Sequence, residues 1–168
     1  ASAWGDDPYG LWCEIEVGAV VQRLRWVEPG VSMMGSSEDE RGRVAGEISD
    51  DRWKRFIESE GPQHQVTLTR GFWLADTACT QALWLAVAGG KNPSRFSGDP
   101  ERPVEKVSWD EVTERFLAVL QGHLGAEVAA ELPTEAEWEY ACRAGTKTAY
   151  SFGEAFEPSR ANVNSKET

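Results

Sequence analysis

Two short runs fix where this chain must be helical. Ser108-Trp109-Asp110-Glu111 and Thr134-Glu135-Ala136-Glu137 each place a hydroxyl at a helix N-cap and a glutamate three residues later. The hydroxyl accepts a hydrogen bond from the backbone N–H of the third helical residue, and the glutamate accepts one from the cap's own N–H. After Ser108, Val112, Phe116, Val119 and Leu120 recur at helical spacing, and Gly122 is the expected stop. After Thr134, Trp138, Ala141 and Cys142 are the expected buried stripe and Gly145 the terminator. A further helix is expected over 81–88. Thr80 caps it, Leu83, Trp84 and Val87 form its apolar face, and Gly89-Gly90 ends it.

The strands read less cleanly. In residues 18–29, Val20, Gln22, Leu24 and Trp26 share one face and Arg23 and Arg25 the other, although Val21 and Val27 fall on the polar side. Pro29-Gly30 marks a turn. Residues 65–74 read as one strand, with Val66, Leu68, Phe72 and Leu74 on one face and Thr67, Thr69 and Trp73 on the other. Residues 36–61 are acidic and poor in apolar side chains. Trp53, Phe56 and Ile57 support one short helix near 51–58, and the rest is expected to be an acidic surface loop or insertion. Strands come first, helices cluster in the middle and no βαβ alternation appears, which favours an α+β fold. The size prior allots residues 1–168 to a single domain.

Charge narrows the partners. A formal net charge of -11 opposes nucleic acid or an anionic membrane as the main partner, since both demand clustered Lys and Arg. It suits a solvated surface, a cationic ligand or a metal. No run approaches the length of a membrane span, and residues 1–10 show no signal peptide. Cys13, Cys79 and Cys142 match neither a zinc nor a disulfide spacing, so three buried thiols in the cytoplasm are the expectation. Glu135, Glu137 and Glu139 could suggest acid–base chemistry, but the first two complement the helix dipole and the cap. His64, at a strand entry, reads as structural, and His123 as solvated.

Several segments, taken in order, form a more specific pattern. They are Met34-Gly35-Ser36, Gly61-Pro62-Gln63-His64-Gln65-Val66, Cys79-Thr80-Gln81-Ala82-Leu83-Trp84, Asn92-Pro93-Ser94-Arg95-Phe96, Arg102-Pro103-Val104-Glu105 and Leu132-Pro133-Thr134-Glu135-Ala136-Glu137-Trp138-Glu139-Tyr140-Ala141. Together they resemble the sulfatase-modifying factor family, founded on formylglycine-generating enzyme, over about residues 22–165. The resemblance implies a C-type-lectin-like fold of that subclass, low in regular secondary structure and incomplete at the C-terminus. Residues 1–168 would then be the N-terminal part of the domain.

In catalytic members the copper-binding cysteines lie late in the domain, and nothing here matches them, so no catalytic residue is expected. Residues 159–165 resemble the start of a family calcium site. By that match the Asn162 side chain and the Val163 carbonyl are partial calcium ligands. The function implied is a non-catalytic ligand- or protein-binding scaffold, as in bacterial members that include the variable proteins of diversity-generating retroelements. Its expected partners are the C-terminal remainder of the domain, in one chain or on a second one, and a protein or small ligand. The alternative is the N-terminal part of a formylglycine-generating oxidase that converts a sulfatase cysteine, with copper as its cofactor. A sulfoxide synthase would need a His-x-x-x-His-x-Glu motif, and the chain has only two histidines.

Overall fold

Val27 is the last residue of one sheet strand and Phe72, its cross-strand partner, the first of the next. Between them the chain builds much of a second unit. The computed structural model describes residues 1–154 and 157–160. It divides into one unit of residues 1–28 and 70–133, and another of 29–69 and 134–168.

The first unit opens with β1 (Ala3–Asp7), β2 (Gly10–Val17) and β3 (Val20–Val27), and β6 (Phe72–Ala75) completes an antiparallel sheet in the order β1-β2-β3-β6. Gly18 turns β2 into β3 with φ +63, a conformation glycine adopts without strain. Cys13 pairs with Leu24, Val17 with Val20 and Trp26 with Trp73. On one face Ile15, Val17 and Val20 join the core. The other face is polar. Glu14 binds Arg23 at 2.6 Å, Asp7 binds Arg25 at 2.7 Å, and Arg23 lies 4.3 Å from the Trp12 ring centre.

Helix α3 (Gln81–Ala88) packs on β2 and β3, and a π-helical stretch, Glu111–Phe116, runs directly into α4 (Leu117–Leu124). The Thr80 hydroxyl accepts from Leu83 N–H at 3.1 Å, and Glu111 accepts from the Ser108 N–H at 2.8 Å. Both caps form where the sequence places them. The Leu117 N–H reaches back to the Val112 carbonyl, which is the wider π spacing. The helix runs past Gly122 and stops at Gly125, whose φ of +84 breaks the helical path. Val17, Leu83, Trp84, Val87, Phe116 and Leu120 are the buried core, with the Trp84 and Phe116 rings stacked 5.1 Å apart.

The second unit holds β4 (Gly30–Met34), α1 (Glu38–Glu47), α2 (Asp51–Ser59), β5 (His64–Leu68) and α5 (Glu135–Arg143). β4 and β5 pair antiparallel, Met34 opposite His64 and Gly30 opposite Leu68. α5 packs on both strands. Gly30 is required there, because a Cβ would collide with the Tyr140 hydroxyl.

Several expectations are corrected. Residues 65–74 are two strands in two sheets, β5 and β6. Both have period two, so the alternation runs through the break. At Gly71 a Cβ would collide with the Trp26 ring, so only glycine passes. Residues 36–61 carry two helices, not one. α1 is capped by Ser37 and led by Glu38, Asp39 and Glu40, which suit the positive end of the helix dipole. β1 and β2 had no counterpart in the sequence reading. Cys13 is buried, Cys79 partly so, and Cys142 exposed. Trp138 is 58% exposed, so the stripe 138, 141, 142 is not a buried face. Tyr140 is the aromatic that α5 packs inward. No helix among the described residues is long and apolar enough to cross a membrane.

Candidate functional site

The second unit contains a cleft of about 480 Å³ at the end of the β4–β5 pair, with α5 along one side. Its floor is set by a backbone crossing. Gly35 has φ +84, and a Cβ there would collide with the Glu60 carbonyl. The Ser36 N–H donates to that same carbonyl at 3.0 Å, and the Ser36 hydroxyl donates to the Glu60 carboxylate at 2.7 Å. The entry to α1 and the exit from α2 are thereby stitched together. The Arg41 guanidinium donates to the Ser36 carbonyl beside Gly61. The His64 ring nitrogen Nδ1 lies 2.9 Å from the Pro62 carbonyl, which holds the ring at the strand entry.

α5 supplies the wall. Thr134 and Glu137 form the complete reciprocal capping box, so the helix starts at Glu135. That start sets Glu135, Trp138, Glu139 and Cys142 on the cleft side. The glutamates then have three different situations. Glu137 accepts from Thr134 at 2.8 Å and is spent on the cap. Glu139 accepts from the Gly35 N–H at 2.9 Å and from Arg143 at 2.7 Å. Glu135 has no hydrogen-bond or ion-pair partner among the described residues. Opposite, the Tyr150 ring is stacked on Phe152 at 5.3 Å. An exposed indole, a carboxylate with no described side-chain partner and a hydrogen-bonded polar floor can bind a ligand by contact and charge.

Two of the three thiols are withdrawn by burial. Burial pushes the Cys79 thiol up to about 11, and burial also raises that of Cys13. Cys79 precedes the α3 N-terminus, which would favour a thiolate, but desolvation wins. It packs against the core and its thiol faces the Thr80 carbonyl at 3.7 Å. No three His, Cys, Asp or Glu side chains are grouped to hold a metal among the described residues. Asn162 and Val163 lie outside the described residues.

Two glutamine hubs escaped the sequence reading. Gln81 is 1% exposed; its amide donates to the Phe96 carbonyl at 3.1 Å and the Pro103 carbonyl at 3.3 Å, and accepts from Asn92 at 2.7 Å. It gathers the 92–103 connection around one side chain. Gln121 does the same for 125–130, donating to Gly125 and Val128 and accepting from the Ala130 N–H. The only sequence signal available was an amide residue within a helix flanked by a turn-rich stretch. Beside Gln121, Trp109 and Leu132 border an open groove of about 400 Å³ in the first unit.

Comparison with known proteins places the chain. The family model for the sulfatase-modifying factor enzyme 1-like domain matches residues 19–167. No curated protein matches. Among solved structures the chain is similar to Treponema denticola variable protein 1, with a TM-score of 0.62 and 22% identity over 83% of this chain. At that identity the shared property is the fold, which is α+β and C-type-lectin-like. The chain spans 59% of the length of that structure.

Proposed function

The chain belongs to the sulfatase-modifying factor enzyme 1-like family, and on that premise we propose that it is a non-catalytic scaffold that binds a ligand or protein. The observation that carries this reading is the contrast between the two thiols that burial withdraws, Cys13 and Cys79, and a cleft whose own thiol, Cys142, is exposed beside a tryptophan and a carboxylate. Cys79, with its thiol near 11, stays protonated at neutral pH and offers neither a nucleophile nor a soft-metal ligand. The α5 cleft instead presents Trp138 and Glu135 on a floor fixed by hydrogen bonds. The further partner in this reading is additional polypeptide of the same domain, continuous or separate, because the structural neighbour is the longer chain. A calcium ion on the Asn162 side chain and Val163 carbonyl belongs to the same proposal, both being the oxygen donors a hard cation takes.

The competing reading is the N-terminal part of a formylglycine-generating oxidase. The two separate in one assay. The protein, together with the additional polypeptide of the domain proposed above, is incubated with copper, oxygen and a cysteine-containing sulfatase peptide, and aldehyde is measured by hydrazide capture. No aldehyde is expected; turnover would refute the scaffold reading. Thiol alkylation of the native protein is expected to modify Cys142 first, with Cys13 and Cys79 modified only after unfolding.

A further inference from the structure

We propose that the α5 cleft takes a cationic ligand, an ammonium or guanidinium group on an apolar stem, seated between the Glu135 carboxylate and the Trp138 indole. This rests on the binding reading above and names its ligand class.

Charge gives the first argument. Among the described residues lining the cleft, the carboxylates are Glu60, Glu135 and Glu139, and the one arginine, Arg143, is committed to Glu139 at 2.7 Å. Among the described residues Glu60 is met by the neutral Ser36 hydroxyl, and Glu135 has no hydrogen-bond or ion-pair partner and faces only the positive end of the α5 dipole. An anion entering the cleft would face two carboxylates that no cationic side chain of the described residues neutralises. A cation would complete the balance, and the protein's net charge of -11 draws cations toward it.

Shape and surface give the second. Glu135 and Trp138 are three residues apart on one helix, so they are neighbours on its surface. The indole is 58% exposed and stacks on no other ring among the described residues. An indole face attracts an ammonium or guanidinium group that a carboxylate simultaneously holds. Met34 and Pro62 line the same cleft and give an aliphatic stem apolar surface. The volume lies within the range of small-ligand pockets, roughly 300–1,000 Å³.

The test uses the whole protein labelled with 5-fluorotryptophan and observed by fluorine NMR. With eight tryptophans present, the Trp138 resonance is identified by its loss in Trp138→Phe. The probes are Nα-acetyl-lysine methylamide and Nα-acetyl-arginine methylamide. Their neutral counterparts carry Nε-acetyl-lysine and citrulline, and an acetyl-glutamate methylamide supplies an anion. A cationic probe should shift the Trp138 resonance saturably, more weakly as salt is raised. Loss of the probe's charge, or Glu135→Gln, should weaken binding about five-fold or more. Which cation binds better separates a lysine-like from an arginine-like ligand. If the neutral or anionic probe binds as well as the cationic one, the cation assignment is wrong while the cleft stands as a binding site. If no probe moves Trp138, the assignment and the use of this cleft for binding both fall. The isostere arm needs no variant, so misfolding cannot mask the answer.

Discussion

The two units begin from the same local chemistry and end differently. Each has a helix opened by a hydroxyl–glutamate capping box, Ser108 with Glu111 in one and Thr134 with Glu137 in the other. The first helix turns Phe116 and Leu120 into a core with Trp84. The second leaves Trp138 in solvent, and no apolar side chain of its unit is buried among the described residues. Identical caps therefore decide where a helix starts and nothing about what it buries. The first unit rests on a packed core. The second rests on backbone crossings, the Gly30–Tyr140 contact and polar links such as Ser36 to Glu60, an arrangement of low apolar burial typical of regions that open locally and bind.

The contrast is broken most directly by exchanging the tryptophans for alanine. Trp84→Ala should cost about 3–5 kcal/mol, the usual loss for a buried aromatic in a core. Trp138→Ala should cost about 0.5 kcal/mol or less, as for an exposed position. Urea unfolding of both variants checks this; equal losses would mean that Trp138 is a core residue after all. A smaller effect sharpens the account of the second unit. Gly30→Ala should cost about 1–3 kcal/mol by overpacking against Tyr140. Adding Tyr140→Phe, which removes the colliding hydroxyl, should recover part of that loss, and an additive double-mutant cycle would deny the contact. Smallest are the caps. Ser108→Ala and Thr134→Ala should each cost about 1 kcal/mol, so a large difference between them would show that the boxes are not equivalent.

The caps also respond to acid. The Ser108 N–H, and then its hydroxyl, hold the Glu111 carboxyl below its ordinary 4.5. Its folded value lies below its unfolded one, so its support is complete above the unfolded value and fades as pH falls through the folded one. Thermal melts below pH 4.5 should therefore lose stability less steeply in Glu111→Gln than in the parent.

What the sequence disclosed follows from which forces are local. Thr80, Ser108 and Thr134 announce their helices because a cap is a contact across three residues. Gly125 and Gly71 are harder to read, since one competes with Gly122 as a stop and the other answers to a distant ring, that of Trp26. α1 was invisible to hydrophobic periodicity because it buries nothing. β1 and β2 carry Trp4, Leu11 and Trp12 on both faces, which blurs the alternation. Of the candidate site, the α5 start was legible to the residue. The exposure of Trp138 was not, because an aromatic at helical spacing reads as core whether or not anything covers it. Gln81 and Gln121 were missed because an amide's partners are carbonyls, and every residue has one.

The pairing of Val27 with Phe72 has a consequence for how the protein is made. Each unit is assembled from two separated stretches of polypeptide, which alternate along the chain. A nascent chain can zip β6 onto β3 as soon as Phe72 emerges, and the core with Phe116 follows. The second unit must wait for Tyr140, long after its own first strand has left the ribosome. Until then the β4–β5 pair lacks the helix that packs on it, which is the interval in which a chaperone or a wrong partner would find it.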